Sequence, residues 1–225
     1  MVPDGVEIRR TDIDWGPATK VLAAAREFQG QDVDILFGDD DRAYTPGWAA
    51  SFVMARQVQP GACIANLGLE AASIAKSITP RKLQPRAQRR WRITDLEFQT
   101  KFIVQQVRAG RNWRSIAEPP RRVFKTAGYA DIFEGCGGVM VRPKFFNQEF
   151  YTIPPVLWTV DDVWLSGMMA QAGVAIWIND NQYEPAHTAA EQCEPLVTSL
   201  VDGADRGTAN RLAVEYMQTT FGIWR

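Results

Sequence analysis

The sequence predicts an α/β fold in which a mostly parallel central sheet is flanked by helices. Two observations lead to this prediction. Apolar residues make up 46% of the 225 positions, which is enough for a substantial core. Buried-strand and amphipathic-helix patterns also alternate through the first third of the chain, as they do where helices cover parallel strands. The length suits one domain of this kind, spanning 1–225.

The first half of the chain supplies these elements in order. Residues 6–8 are extended, and residues 16–30 form a helix that opens on a Gly-Pro pair. The apolar run VDILF (33–37) predicts a buried strand, and an acidic GDDD turn follows it directly. A second amphipathic helix over 47–58 leads to a strand over 62–66, and this strand–helix–strand order predicts parallel pairing.

The second half is less regular, because prolines interrupt its basic stretches. Its apolar segments still show helix and strand periods. They predict a basic loop or insertion (76–92), a helix (95–108), a second loop (111–122), a strand (137–141), a short helix (144–146), a helix (161–172), a strand (174–178) and a closing helix (205–220).

Charge and cysteine content narrow the function classes. The formal net charge is −1, so no overall positive field favours nucleic acid as a partner. Cys63, Cys136 and Cys193 are far apart, fit no zinc-ligand spacing and leave one cysteine unpaired, as expected in a reducing compartment. The sequence contains neither a signal-peptide pattern nor an apolar run of ~18 residues. We therefore expect a cytoplasmic protein without a transmembrane segment, while peripheral membrane contact stays open.

Three consecutive aspartates, Asp39, Asp40 and Asp41, follow the strand predicted at 33–37. In extended backbone, residues i and i+2 point to the same side, so Asp39 and Asp41 can share one divalent cation. Carboxylate oxygens suit Mg²⁺ or Mn²⁺, and ligands of open α/β sheets commonly bind at such strand ends. A solvated acidic turn explains the same residues equally well.

Two further aspartates, Asp161 and Asp162, open the helix predicted at 161–172. A helix N-terminus stabilises carboxylates, so capping is the simpler explanation. One aspartate is enough for a cap, however, and the neighbouring residues are apolar, as at Trp164. The second carboxylate is then available as a general base.

A glycine-rich segment, EGCGG (134–138), precedes a predicted strand. Glycine lets backbone approach a ligand closely, and the Glu134 carboxylate can bind sugar hydroxyls. An ordinary turn before the strand is the alternative.

Basic residues and the single histidine are more ambiguous. Lys20 lies in the first turns of a helix, where a bound diphosphate would offset the unfavourable helix dipole, although a solvated lysine is the simpler account. His187 is a further metal ligand, a leaving-group contact or a surface residue. Two alternatives also apply to the basic residues Arg81, Lys82, Arg86, Arg89 and Arg90. They bind phosphates or an anionic acceptor, or they belong to a solvated loop.

Taken in order, these motifs resemble the GT-A-fold glycosyltransferases of the family-2-like group. The resemblance implies a GT-A-like, Rossmann-like sheet, with a donor- and metal-binding part over 1–67 and an acceptor and catalytic part over 123–190. It also implies metal-dependent transfer of a sugar from a UDP- or GDP-sugar to a carbohydrate or glycolipid hydroxyl, with inversion. The matching segments are DWGPATK (14–20), the strand followed by GDDD-x-x-Y-x-P-x-W (38–48), EGCGGVMVRPKFF (134–146) and VDDVWLSGMMAQAGV (160–174).

The same resemblance implies individual roles. Asp39 and Asp41 match the DxD element that holds Mn²⁺ or Mg²⁺ and the donor diphosphate, and Asp40 is expected beside the donor ribose or sugar. Asp162 matches the catalytic base. The remaining predicted contacts are Lys20 and Asp14 with the donor, His187 with the metal, and Glu134, Gly135, Gly137, Gly138, Asp161 and Trp164 with the acceptor.

Two other functions fit part of the sequence. Family members usually begin with a strand and a helix ahead of the DWGPATK element, whereas only residues 1–13 precede it here. A noncatalytic nucleotide- or carbohydrate-binding domain, derived from a truncated transferase, is therefore the main alternative. An inverting glycoside hydrolase also uses two carboxylates, but it needs no metal. Donor binding without transfer distinguishes the first alternative, and independence of metal distinguishes the second.

Overall fold

The computed structural model describes residues 4–75, 83–110, 118–188 and 206–224, with His187 described by its backbone alone. The strands are β1 (Ile35–Phe37), β2 (Arg42–Ala43), β3 (Cys63–Ala65), β4 (Gly68–Leu69), β5 (Gln88–Arg89), β6 (Phe124–Thr126), β7 (Gly128–Ala130), β8 (Ile132–Phe133), β9 (Val139–Val141), β10 (Ile176–Ile178) and β11 (Ala186–His187). The helices are α1 (Thr19–Glu27), α2 (Trp48–Val58), α3 (Ala71–Ile74), α4 (Leu96–Ala109), α5 (Asp161–Gln171) and α6 (Arg206–Phe221).

The central sheet is mixed, so the predicted α/β class is confirmed but the prediction of a mostly parallel sheet is wrong. Its five strands lie in the order β1, β9, β3, β10, β7, and only β3 and β10 pair in parallel. The other three pairs are antiparallel. β1 and β3 do run in the same direction, as the strand–helix–strand order requires, but β9 lies between them and is antiparallel to both.

Helices and strands with a clear sequence period lie where the sequence predicts them. α2, α4 and α5 begin and end within one residue of the predicted bounds. The predicted strands contain β1, β3, β9 and β10. The helix predicted over 16–30 is a 3₁₀ turn at Gly16–Ala18 that continues into α1. The closing helix is α6, and residue 205 of its predicted range lies outside the described residues.

The predicted loops are only partly described. Residues 76–82 and 111–117 lie outside the described residues. Within the first loop, Gln88 and Arg89 form β5 and pair with β6, so the loop prediction is wrong at this point. A two-residue strand is too short to show a period in sequence, which is why such strands were not predicted.

Helix α1 buries one face and exposes its first turn to the neighbouring strand end. Val21, Leu22 and Ala25 are fully buried, with the spacing that one helical face requires. This face contacts β1. Lys20 precedes the buried pair and is therefore positioned at the edge of the core, next to the residues that follow β1.

Helix α5 packs between the β8 segment and α6. The Ser166 hydroxyl of α5 is buried and accepts a hydrogen bond of 3.0 Å from the Phe133 backbone N–H of β8. This bond fixes the first turn of α5, with Asp161 and Asp162, beside the glycine-rich segment that follows β8. Among the described helices, none combines the length and apolarity needed to cross a bilayer.

Candidate active site

The first turn of α1, the end of β1 and the N-terminus of α5 meet at one lysine. The Lys20 ammonium lies 2.6 Å from Asp39 Oδ1 and 3.1 Å from Asp161 Oδ2. The Lys20 and Asp39 side chains are about a quarter to a third exposed, whereas the Asp161 side chain is buried. Asp39 and Asp161 are 122 positions apart in sequence, and both carboxylates pair with the Lys20 ammonium.

Gly135, in the glycine-rich segment, lies at the same point. Its backbone N–H donates to both carboxylate oxygens of Asp162, at 3.1 Å each. A Cβ atom at Gly135 would lie 3.0 Å from Asp162 Oδ1, 3.0 Å from Lys20 Nζ and 3.6 Å from Asp39 Oδ1. We call Lys20, Asp39, Asp161 and Asp162, grouped around Gly135, the acidic cluster.

Tyr44 positions Asp39. Its hydroxyl accepts a 2.8 Å hydrogen bond from the Asp39 backbone N–H and lies against Gly38, where a Cβ atom would be only 2.1 Å away. The Tyr44 ring also packs on Trp48. The sequence shows both aromatic residues within the GDDD-x-x-Y-x-P-x-W pattern, but it did not assign them a role at the site.

Trp48 joins the aspartate turn to the glycine-rich segment. Its indole N–H donates to the Gly137 carbonyl at 3.1 Å. Gly138 has a positive φ of 93°, and a Cβ atom there would lie 2.3 Å from the Trp48 ring. Gly137 packs against Leu67 in the same way. The glycines at these two positions therefore allow close packing of the segment, and only Gly135 faces the acidic cluster.

Burial and the charges within the cluster shift the pKa values of Asp162 and Lys20. Burial and the Asp161 carboxylate raise the pKa of Asp162 to about 8, and Lys20 and the Gly135 N–H only partly oppose them. Burial acts to lower the pKa of Lys20, but Asp161, Asp162 and Asp39 outweigh it and the pKa is raised. Lys20 is therefore charged at neutral pH, while Asp162 exchanges a proton in that range.

Glu134 lies at the rim of the cluster. Its carboxylate is 3.2 Å from the Arg89 guanidinium. Burial raises the pKa of Glu134, and Arg89 partly opposes this shift. Among the described members of the predicted basic group, Arg89 contacts a predicted site residue, whereas Arg86 pairs with Glu70 and Asp131. Arg81 and Lys82 lie outside the described residues.

Two cavities border the cluster. A cleft of about 1050 Å³ lies between the N-terminal segment and the outer side of α1, and Lys20 is part of its wall. A smaller cavity of about 100 Å³ is lined by Asp161, Asp162 and Glu134, with Arg206 and Asn210 of α6 on another side. The larger volume is in the range of small-molecule sites.

Several predicted residues lie elsewhere or are not brought into the cluster. Trp164 belongs to the core, where it is 1% exposed and its N–H donates to the Phe150 carbonyl at 3.0 Å. Asp14 accepts a 2.7 Å hydrogen bond from the Gly16 N–H and forms the turn before α1. Asp40 is exposed. The side chain of His187 lies outside the described residues; its backbone pairs with that of Arg42.

The aspartates after β1 offer only a partial set of metal ligands. The Asp41 carbonyl accepts hydrogen bonds from Thr188, and Asp41 Oδ1 is buried with Arg42 Nε 3.4 Å away. Across the described ranges, no group of three His, Cys, Asp or Glu side chains is arranged to hold a metal ion. Mg²⁺ commonly takes one or two carboxylates and completes its shell with water and phosphate oxygens, so an ion held by Asp39 and Asp41 would have to use this mode.

The chain matches no protein-family model, no curated protein and no solved structure.

Proposed function

We propose that this protein is a glycosyltransferase that moves a sugar from a nucleotide-sugar donor to an acceptor hydroxyl, with Asp162 as the general base. One observation carries the proposal: Lys20, Asp39, Asp162 and Gly135, each from a different motif of the resemblance, surround one point. Titratable groups gathered in this way beside a cleft are typical of catalytic sites.

The donor occupies the large cleft beside Lys20 in this proposal. The cleft of about 1050 Å³ is large enough for a nucleotide-sugar, and Lys20 is the residue of the acidic cluster that lines it, so a diphosphate in the cleft would lie on the Lys20 side. Asp39 and Asp41 would hold Mn²⁺ or Mg²⁺ together with the phosphate oxygens, and the bound cation would neutralise charge on the departing nucleoside diphosphate. Lys20 already neutralises Asp39, so metal affinity is expected to be weak until the diphosphate adds its own negative charge.

Asp162 accepts the proton of the acceptor hydroxyl. As that O–H bond breaks, the acceptor oxygen forms a bond to the anomeric carbon, and the bond from this carbon to the diphosphate oxygen breaks with its electron pair. A single displacement of this kind inverts the anomeric centre. The raised pKa of about 8 makes the Asp162 carboxylate a stronger base than an ordinary one, and the ionised fraction that can accept a proton grows as the pH rises toward 8. The Gly135 N–H keeps this carboxylate oriented.

Calorimetric titration of UDP and GDP, with and without Mn²⁺, tests donor binding. We expect one of the two nucleotides to bind only when the metal is present, and Asp39→Ala or Asp41→Ala to weaken this binding. Asp32→Asn is a matched control, because its side chain is 83% exposed and lies outside the cluster. Absence of binding under every condition would contradict the proposal.

Asp162→Asn separates binding from transfer. Asparagine keeps an oxygen that can accept from Gly135 but cannot take a proton, so we expect unchanged nucleotide affinity and a fall of at least about 10²-fold in nucleoside diphosphate release from UDP- or GDP-sugars. If wild-type protein binds nucleotide but transfers sugar to none of a panel of carbohydrate and glycolipid acceptors, the noncatalytic binding domain replaces the transferase. Transfer by Asp162→Asn at the normal rate would show that another group is the base.

A further inference from the structure

Helix α4 has apolar residues on two opposite sides, but only one side packs on the protein. Phe98 is buried, and its ring stacks on that of Phe102 one turn later. Leu96, Ile103 and Val107 lie on the opposite side and are exposed. At 100° per residue, these three positions fall within a narrow stripe, about 180° from the buried side.

The exposed stripe continues into the turn that precedes α4. Trp91 and Ile93 are 78% and 84% exposed, and Leu96 and Val107 are 80% and 76% exposed. Large apolar side chains that are this exposed and this close together along the chain indicate an interaction site. We call this surface the α4 outer face; its members are Trp91, Ile93, Leu96, Ile103, Val104 and Val107.

The α4 outer face lies in the most basic part of the chain. Residues 83–110 hold six Lys or Arg and two Asp or Glu. The sequence from 76 to 122 as a whole holds 13 of the 25 basic residues and three of the 26 acidic ones, so the remainder of the chain is strongly acidic. Lys101 and Arg108 lie on the helix between its buried and exposed sides. Lys101 pairs with Glu97 at 2.6 Å, whereas the exposed Arg108 has a long side chain that can reach past apolar neighbours toward anions.

We propose that the α4 outer face docks on the anionic surface of a lipid bilayer. A helix with an exposed aliphatic stripe, an exposed tryptophan in the segment just before it, and Lys and Arg nearby has the chemistry of helices that lie in the bilayer interface. Its positive charge complements anionic headgroups, and its apolar stripe replaces water with acyl chains. This inference concerns a surface outside the acidic cluster and holds whether or not the protein transfers sugars.

Other occupants fit this surface less well. Nucleic acid would use the arginines and could stack one base on Trp91, but the remaining members of the α4 outer face are aliphatic and offer no further aromatic platform. A second copy of the chain packed through the same face would bring two strongly basic segments together. A bilayer with anionic headgroups provides an apolar layer and negative charge side by side.

The proposed docking surface is connected to the acidic cluster. Arg89, in the strand that leads to the α4 outer face, pairs with Glu134 at the rim of the cluster. The next residue, Arg90, donates to the Phe124 carbonyl at 3.1 Å and so holds this strand to β6. A bilayer on the α4 outer face would therefore lie near the rim where Glu134 stands.

Vesicle co-sedimentation of the full chain tests the proposal. We expect binding to vesicles of equal parts phosphatidylcholine and phosphatidylglycerol, weak binding to phosphatidylcholine alone, and release as NaCl is added. The double variant Ile103→Ser, Val107→Ser should lower the partition coefficient about tenfold or more, because both side chains would enter the interface. Arg108→Glu should weaken binding to the anionic vesicles but leave the weak binding to phosphatidylcholine vesicles unchanged.

A matched double variant on another helix controls for general loss of surface apolarity. Val53 and Val58 of α2 are 54% and 72% exposed, and Val53→Ser, Val58→Ser should leave vesicle binding unchanged. Equal losses in the two double variants, or no binding to anionic vesicles, would overturn the proposal. Two other results would also overturn the proposal. One is self-association that depends on protein concentration and is abolished by Ile103→Ser, Val107→Ser; the other is preferential binding to an RNA oligonucleotide that the same double variant abolishes. The Ile103→Ser, Val107→Ser variant should bind nucleotide with the same affinity as the wild-type protein. Loss of vesicle binding and loss of donor binding are therefore distinguishable.

Discussion

Gly135 is the residue around which the acidic cluster is built, because it supplies an N–H group and has no side chain. The N–H donates to both Asp162 oxygens. The missing side chain leaves room for Lys20 and Asp162, each of which would lie 3.0 Å from a Cβ atom. Gly135 does not have a positive φ, so its role is steric rather than conformational.

Gly135→Ala is expected to disturb the cluster while preserving the fold. The added methyl group would push Lys20 and Asp162 apart by a few tenths of an ångström or more, and displacements of this order cost up to about 10²-fold in a rate. We expect the sugar-transfer rate of the proposed function to fall toward that limit, with little change in the urea midpoint. Gly61→Ala is the control, because nothing lies within 4 Å of its Cβ position. Equal activity of the two variants would exclude the steric role of Gly135.

At the scale of elements, the cluster depends on how α5 is held. Ser166 joins α5 to β8, and α6 covers another side of the same helix. Met217 of α6 is fully buried, and its Cε atom occupies the space that a side chain at Gly167 would fill. The N-terminal aspartates of α5 are thus positioned by packing along the whole helix rather than by local caps.

Met217→Ala should destabilise the protein by about 2–5 kcal/mol, because it removes a buried side chain and leaves a cavity between two helices. Leu212 lies on the same helix but is 41% exposed, so Leu212→Ala should change the free energy of unfolding by less than about 0.5 kcal/mol. Urea unfolding of the two variants measures this difference. A cost at Leu212 equal to that at Met217 would mean that α6 packs in a different orientation.

Considered as a whole, the molecule buries carboxyl groups whose pKa values are raised by burial. Burial raises the pKa of Asp162, Glu134 and Glu70 above their ordinary values. The folded chain therefore binds more protons than the unfolded chain between the ordinary carboxyl pKa and the raised one. The free energy of unfolding falls as pH increases through this window, which for Asp162 runs from 3.8 to about 8.

The pH dependence of stability gives a test that needs no substrate. We expect wild-type protein to be less stable at about pH 8 than at about pH 5, and Asp162→Asn to reduce this loss because its side chain does not ionise. Urea unfolding at several pH values measures both curves. Curves that run parallel from acid to neutral pH would mean that Asp162 ionises at its ordinary pKa.

Local patterns predicted most of the long elements and several members of the acidic cluster. The helix period located α2, α4 and α5, and the positions of Asp39 and Asp162 at a strand end and a helix N-terminus marked them as candidates. Lys20 and Gly135 were singled out by their local settings. Tyr44 and Trp48 were not. Trp48 donates to a carbonyl 89 positions away, and Tyr44 bonds to Asp39 across a turn, where the residues follow no helix or strand period.

The sequence by itself determined which segments form helices and strands and which residue types are available for chemistry, since both depend on the period and composition of short stretches. Tertiary structure alone decided that β9 lies between β1 and β3, and that Trp164 packs in the core while Asp162 faces Gly135. Strand neighbours and side-chain partners are selected by burial over the whole chain. Contacts of such long sequence separation leave no periodic pattern in any one segment.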